Sequence, residues 1–230
     1  MKKSIICFSG GIDSTVLLAM ALKNNRECLA LCFDYGQRHI QEIQAAQKIA
    51  NYFEVPFKVI KFDTSIFSNT PLTSSSDLEV PKNRSIEDIS SRDISPCYVP
   101  ARNTLFLSIA FGHAEILNAD EIYLGANADD QSFPDCLPGY FKAFNSLLKE
   151  AQTTSSTLTL ETPLIEKSKQ EIIAIGNELN VPFEMTLSCY DPTENGEHCG
   201  QCDTCYIRRD AFKNAGVSDP TNYLAYHTQG

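Results

Sequence analysis

Residues 5–22 read as three pieces in direct succession: the apolar run Ile5-Ile6-Cys7-Phe8, the turn Ser9-Gly10-Gly11-Ile12-Asp13-Ser14, and the apolar run Thr15-Val16-Leu17-Leu18-Ala19-Met20-Ala21-Leu22. That order is strand, glycine-rich turn, helix. Such a junction aims several backbone N–H groups and the positive end of a helix dipole at one small volume, where a phosphate or pyrophosphate binds without many cationic side chains. The two glycines let the backbone approach an anion closely. A γ-phosphate loop of the Gly-Lys-Ser/Thr kind needs a lysine, and no Lys or Arg occurs between Lys3 and Lys23. Residues Phe8 through Leu18 therefore read as a nucleotide-binding loop suited to a pyrophosphate leaving group.

Further along, apolar segments alternate with helical patterns, the mark of a parallel sheet covered on both faces. Strands are expected at 4–8, 28–33, 57–62 and 121–124, and helices at 14–23, 40–53, 103–118, 140–152 and 169–180. Ser168 and Glu171 form a capping-box pattern at the start of the last helix, and Pro182 follows its end. The fold class is α/β, a Rossmann-like parallel sheet, with a small C-terminal metal-binding segment. Residues 64–100 break the pattern with Ser, Asp, Asn and Pro, and read as a long excursion over the mouth of the site. In open α/β sheets ligands bind at the carboxyl ends of strands, where the Ser9 loop lies.

The 230 residues, 43% apolar, suit one α/β domain with a sizeable core. The division expected is 1–185 for the nucleotide-binding domain and 186–230 for a cysteine-bearing tail packed on it. A net charge of −10 gives no broad basic footprint, so no nucleic-acid partner is expected. No apolar run approaches a signal-peptide core or a membrane span, which leads to the expectation of a cytoplasmic protein.

Nine cysteines, an odd number, point to reduced thiols and a metal rather than disulfides. Cys199, Cys202 and Cys205 form a Cys-x-x-Cys-x-x-Cys run, and Cys189 ten residues upstream supplies a fourth thiol for a tetrahedral shell. A structural zinc ion is the first reading. An iron–sulfur cluster is the rival, although Arg209-Asp210 stand where a ferredoxin run continues with Cys-Pro. His198 is read as a bystander, and Cys7, Cys28 and Cys32 as small core residues. The histidines at 39, 113, 198 and 227 are scattered singly, with no nucleophile placed to use them.

The Ser9–Ser14 hexapeptide resembles the signature of the pyrophosphatase-loop ATP enzymes, which adenylate a carbonyl oxygen and release pyrophosphate. All five fixed positions of Ser-Gly-Gly-x-Asp-Ser match. Five further segments are similar to the branch of that family that forms a nitrile on the route to queuosine: Phe33-Asp34-Tyr35-Gly36-Gln37-Arg38-His39; Tyr98-Val99-Pro100-Ala101-Arg102-Asn103; Gly125 through Pro134-Asp135-Cys136; Glu161-Thr162-Pro163-Leu164 with Lys169; and Cys189-Tyr190 with the clustered cysteines. Two departures stand out. The run Asp130-Gln131-Ser132-Phe133-Pro134-Asp135-Cys136 is one residue shorter than the family's and lacks its glycine, and Ala101 stands where the family often has glycine.

The resemblance implies an adenine nucleotide alpha hydrolase-like fold and a ligase acting on 7-carboxy-7-deazaguanine, ammonia and ATP. The carboxylate would be adenylated and converted to the amide, and a second adenylation would release AMP as the nitrile forms. Asp13 would bind Mg²⁺ or order the loop, and Ser9 and Ser14 would supply hydroxyl donors. Lys169 would contact pyrophosphate, Arg102 the substrate carboxylate or a phosphate, and Asp130 or Asp135 the guanine-like N1–H and amine. Asp34 would lie on the adenine or ribose side. The plain alternatives are solvated cations for Lys169 and Arg102 and turn chemistry for the aspartates. Cys189, Cys199, Cys202 and Cys205 would hold one Zn²⁺, and the family suggests a homodimer. Two other readings stand beside this one: a tRNA thiolase or amidotransferase sharing the loop, and a zinc-ribbon interaction module that senses ATP.

Overall fold

Lys3–Cys7 forms β1, and its alternate side chains divide the core. The computed structural model describes residues 1–38, 41–63, 67, 70–153 and 158–224. Ile6 and Phe8 join one apolar cluster and Ile5 and Cys7 the other, as a period of two demands of a strand buried on both faces. β2 (Glu27–Asp34) repeats the division, with Ala30 and Cys32 on one side and Leu31 and Phe33 on the other. With β3 (Phe57–Lys61), β4 (Glu121–Tyr123) and β5 (Thr159–Glu161) these strands make a wholly parallel sheet in the order β3-β2-β1-β4-β5.

Seven helices are described: α1 (Ile12–Lys23), α2 (Gln41–Tyr52), α3 (Ile86–Ile89), α4 (Arg102–Leu117), α5 (Pro138–Ala151), α6 (Lys169–Glu178) and α7 (Asp203–Asn214). Helices α1, α2, α6 and α7 bury apolar residues against one face of the sheet, and α4 and α5 against the other. α1 is buried nearly all round, so it carries almost no polar stripe. The predicted capping box at α6 is present: Ser168 N–H donates to Glu171 Oε2 at 2.8 Å and Glu171 N–H to Ser168 Oγ at 3.4 Å.

The four predicted strands and five predicted helices appear within two residues of their expected ends, with Ile40 outside the described residues. The sequence reading passes over β5, only three residues long, and α7, whose buried face of Cys205, Arg208, Ala211 and Phe212 interrupts the apolar pattern with an arginine. Arg208 is buried because its guanidinium has partners all round: Asp219, Thr186 Oγ1, Ser188 Oγ and the Phe183 carbonyl. Phe183 then packs edge-on against Phe212 at 5.1 Å between centroids.

The excursion, of which residues 64–66, 68 and 69 lie outside the description, lies over the carboxyl ends of the strands and shares a third core cluster with the cysteine segment. Arg38 fastens its start through the carbonyls of Thr73, Ser76 and Leu78. Further on, Asn83 N–H donates to the Gln201 carbonyl at 2.9 Å and Arg84 pairs with Asp203 at 2.6 Å. The chain runs outward from β1 to β3, then returns to the other side of β1 at β4. The crevice between the loops after β1 and β4 is the topological switch point, where this class of sheet binds ligands.

Candidate active site

The loop after β1 is shaped by its own side chains. Ser14 Oγ accepts from Ser9 N–H at 3.3 Å and donates to the Gly11 carbonyl at 3.2 Å, and Thr15 Oγ1 donates to the same carbonyl at 2.7 Å. Gly10 has φ +76°, and a Cβ there would lie 2.7 Å from the backbone nitrogen of Ala46 in α2. Only glycine fits both the left-handed conformation and that approach. The loop after β4 also comes close, for a Cβ on Gly125 would lie 3.3 Å from atoms of Asp13 and Ser14.

Asp13, in the first turn of α1, is where these loops and α6 meet. Its Oδ2 accepts from Lys169 Nζ at 2.5 Å and from Asn127 Nδ2 at 3.2 Å, while Oδ1 is buried without a partner. Burial works against the Lys169 charge, but Asp13 and Asp130 outweigh it and hold the ammonium above the ordinary lysine range. Burial likewise pushes the Asp130 carboxyl up to about 6, with Lys169 opposing and Asp13 adding to the rise. Asp129 Oδ2 receives the Lys169 N–H at 2.7 Å and Ala128 N–H donates to the Lys167 carbonyl at 2.9 Å, so two residues of the loop after β4 fix the start of α6.

Across the cleft, Arg102 opens α4 and donates from Nη1 to Tyr35 Oη at 3.4 Å, its guanidinium 5.7 Å from the Tyr35 ring centroid. Ala101, just before it, has φ +57°, a strained setting for a residue with a Cβ. One cleft of about 350 Å³ is lined by Ser9, Asp13, Arg102, Asp130 and Lys169 together, over a floor of Cys7, Phe33 and Leu124. Phe33 and Phe106 stack there at 4.1 Å, giving the floor a flat aromatic wall.

Of the predicted loop Phe8–Leu18, Gly10 and the α1 residues Thr15, Val16, Leu17 and Leu18 do not line the cleft, and Val16, Leu17 and Leu18 are core residues instead. Two predicted aspartates also lie elsewhere. Asp135 does not line the cleft; its Oδ2 accepts from Asn103 N–H at 3.0 Å and so caps α4. Asp34 accepts from Gly36 N–H at 3.3 Å, faces Lys61 at 3.8 Å, and does not line the cleft. Two cleft residues that the sequence does not single out are Glu42 and Asp129. Glu42 sits four residues before Ala46, the helix residue against which Gly10 packs, and that spacing is the signal that points to it.

The four cysteines Cys189, Cys199, Cys202 and Cys205 converge, buried, with all sulfurs within 4.8 Å of one another. Cys189 and Cys202 are 3.8 Å apart and Cys199 and Cys205 4.0 Å. A tetrahedral ion with bonds of about 2.3 Å requires sulfur separations of roughly 3.8 Å, so the set fits one ion. Backbone N–H groups of Asp191 and Cys199 point at Cys189 Sγ, and those of Gln201 and Cys202 at Cys199 Sγ, as thiolates require. His198 is outside the set: its Nε2 accepts from Ser188 N–H at 3.1 Å, and burial pushes its pKa down to about 4.

The family model described as queuosine biosynthesis protein QueC matches residues 3–216. Over 229 residues the chain is 45% identical to a 7-cyano-7-deazaguanine synthase of Coxiella burnetii, covering 97% of this chain and 99% of that one. It is 43% identical over 228 residues to one of Legionella pneumophila (strain Corby), covering 97% of each. A solved structure described as a predicted subunit of tRNA methyltransferase from Methanocaldococcus jannaschii shares the fold at 15% identity, with a TM-score of 0.50 over 96% of this chain and 93% of that one.

Proposed function

Because the chain belongs to the QueC family of queuosine biosynthesis proteins, we propose that it converts 7-carboxy-7-deazaguanine and ammonia to 7-cyano-7-deazaguanine at the expense of ATP. It is an ATP-dependent carbon–nitrogen ligase. A carboxylate holds two oxygens that leave poorly, and each is activated in turn by transfer to the α-phosphorus of ATP. Pyrophosphate leaves into the cradle at the start of the Phe8–Leu18 stretch, where Ser9, Gly11, Asp13 and Ser14 line the cleft, and Lys169 offsets its charge. Arg102 holds the substrate carboxylate in a planar fork, and its grip fixes the attacking oxygen near the phosphorus. The observation that carries this reading is the shared cleft: the anion-binding loop and Arg102 open on one cavity.

Asp130 is the reader of the guanine-like edge, since a carboxylate accepts from both N1–H and the exocyclic amine. Its place in the cleft supports it over Asp135, whose carboxylate is engaged at the α4 terminus. The buried, unpartnered Asp13 Oδ1 suits a cation ligand, so Asp13 would hold Mg²⁺, which supplies charge compensation for the phosphates. The Cys₄ set would hold a structural zinc, with no open position for chemistry. An iron–sulfur cluster seats each cysteine on a different iron, and the 3.8 Å and 4.0 Å separations favour one ion instead. Residues 186–224 thereby serve as a wall of the site rather than as a separate module, a role supported by their common core with the excursion.

The thiolase reading needs a reactive thiol, and burial pushes Cys28 up to about 11 and Cys7, Cys32 and Cys97 up to about 12. Among the described residues no helix is long and apolar enough to cross a membrane. The nine cysteines form no disulfide among the described residues, which supports a cytoplasmic setting, and a net charge of −10 supports a reaction without nucleic acid. Exposed Ile116 and Leu147, on the two helices of one face, support a homodimer. Exchange of labelled pyrophosphate into ATP tests the adenylation: dependence on 7-carboxy-7-deazaguanine supports it, and dependence on tRNA supports a thiolase.

A further inference from the structure

We propose that Glu42 is the proton acceptor for the nitrogen chemistry of this site, taking a proton from ammonia as it adds to the activated carbon and another from nitrogen as the nitrile forms. The inference rests on the adenylating reading above. Glu42 lies in the first turn of α2, and Ala46, one turn later, is the residue whose backbone meets Gly10 at 2.7 Å from a Cβ position. Residues four apart share a helix face, so Glu42 continues the contact line from the pyrophosphate loop into the cleft. It lines that cleft with Ser9, Tyr35 and Arg102. Arg102 is assigned the substrate carboxylate and Ser9 the leaving pyrophosphate, so the acid borders the space in which the reacting carbon must lie. No hydrogen bond or ion pair of its carboxylate occurs among the described residues.

The bookkeeping of atoms defines the need for such a group. In the first half the nitrogen lone pair forms the C–N bond, the C–O bond breaks with its electrons on AMP, and one N–H proton must go to a base. In the second half the amide oxygen attacks the α-phosphorus, pyrophosphate leaves and one amide N–H proton passes to water, giving a neutral imidate that carries AMP; its remaining N–H bond then breaks, its electrons become the third C–N bond, the C–O electrons leave on AMP, and that proton again needs a base. Between halves Glu42 returns its proton to water at the cleft mouth.

Burial, opposed by Arg102, pushes the Glu42 carboxyl up to about 7, suited to taking and releasing protons near neutrality. The groups facing it are Arg102 from α4, Tyr35 after β2 and Cys32 within β2. Burial holds Tyr35 and Cys32 at about 12, and Arg102 is raised, so none titrates near 7. Asp13, Asp130 and Lys169 stand on the remaining walls.

Glu42→Gln and Glu42→Asp distinguish this role from a counter-ion that only positions Arg102. Two rates are read: substrate-dependent ATP–pyrophosphate exchange, and single-turnover conversion of preformed adenylate by ammonium between about pH 6 and 9. The expected result for Glu42→Gln is exchange within about threefold of wild type, conversion slowed roughly 10²–10⁴-fold, and loss of the rising limb near pH 7. Glu42→Asp should regain part of the rate and the limb. A Glu42→Gln enzyme whose exchange falls in step with conversion, or whose conversion is unchanged, overturns the proposal. If Glu42→Gln does not fold, a wild-type conversion profile without a limb near 7 overturns it equally. Absence of exchange in the wild-type protein would instead strike the adenylation reading itself.

Discussion

Lys169 Nζ donates to Asp13 Oδ2 at 2.5 Å, joining the first turn of α6 to the first turn of α1, while the other oxygen of the same carboxylate is buried and unpartnered. The pair spans 156 residues of chain yet closes one end of a single cleft. One oxygen is engaged by the protein and the other faces no protein partner, which suits the proposed Mg²⁺ role.

Asp13→Asn removes the charge but keeps the shape. The expected outcome is a loss of ATP–pyrophosphate exchange of about 10²–10³-fold, and a Mg²⁺ titration displaced to higher concentration. The fold should persist, because Asn127 and Lys169 keep an oxygen to donate to. Exchange at the wild-type level would remove Asp13 from the site.

Gly10→Ala places a Cβ 2.7 Å from the Ala46 nitrogen and 2.8 Å from its Cα, at φ +76°. Both atoms are backbone and cannot swing aside. Stability should fall by about 2 kcal/mol or more in urea unfolding, with nucleotide binding lost even where the fold survives.

Ala101→Gly relieves a left-handed φ of +57° immediately before Arg102. Thermal unfolding should show a gain of about 0.5–1 kcal/mol. Its KM for the deazaguanine is the second readout: a rise would mean that Ala101 also stiffens the Arg102 fork.

Asp130→Asn separates stability from recognition. The Asp130 carboxyl is raised to about 6 against about 3.9 in an unfolded chain, so the folded state binds the extra proton between those values. Stability from this group is therefore largest below about pH 4 and declines as pH rises towards 6. Asp130→Asn should flatten that decline and be the more stable protein at pH 7, measured by urea midpoints across pH. Its KM for the substrate should rise at least tenfold, since the amide cannot accept from two donors as a carboxylate does.

Cys202→Ser should lose one equivalent of zinc by elemental analysis and unfold at lower denaturant. Because Lys82 bridges to Cys202 and Asn83 binds Gln201, protease cleavage within 78–95 should rise in the same variant. Unchanged cleavage would separate the excursion from the metal knuckle.

Much of this architecture is written in local pattern. The strand–turn–helix junction at residues 5–22 and the Ser168–Glu171 capping box depend only on neighbours, so they are legible before any coordinates. What escapes is whatever depends on distant partners. Arg208 belongs by type on the surface, yet four acceptors from two segments, 183–188 and Asp219, draw it inside, and with it goes the pattern of α7. Asp130 and Asp135 look interchangeable in a Pro-bounded run, and only the approach of Asn103 separates a helix cap from a cleft carboxylate. Glu42 is one acid among many until Gly10 is seen to pack on its helix.

The most direct test of the central claim is mass spectrometry of the products formed from ATP, Mg²⁺, ammonium and 7-carboxy-7-deazaguanine. The account predicts the nitrile, with about two AMP and two pyrophosphate released for each one formed, as two activations of one carbon require. Intact ATP, or AMP released without the nitrile, would contradict it.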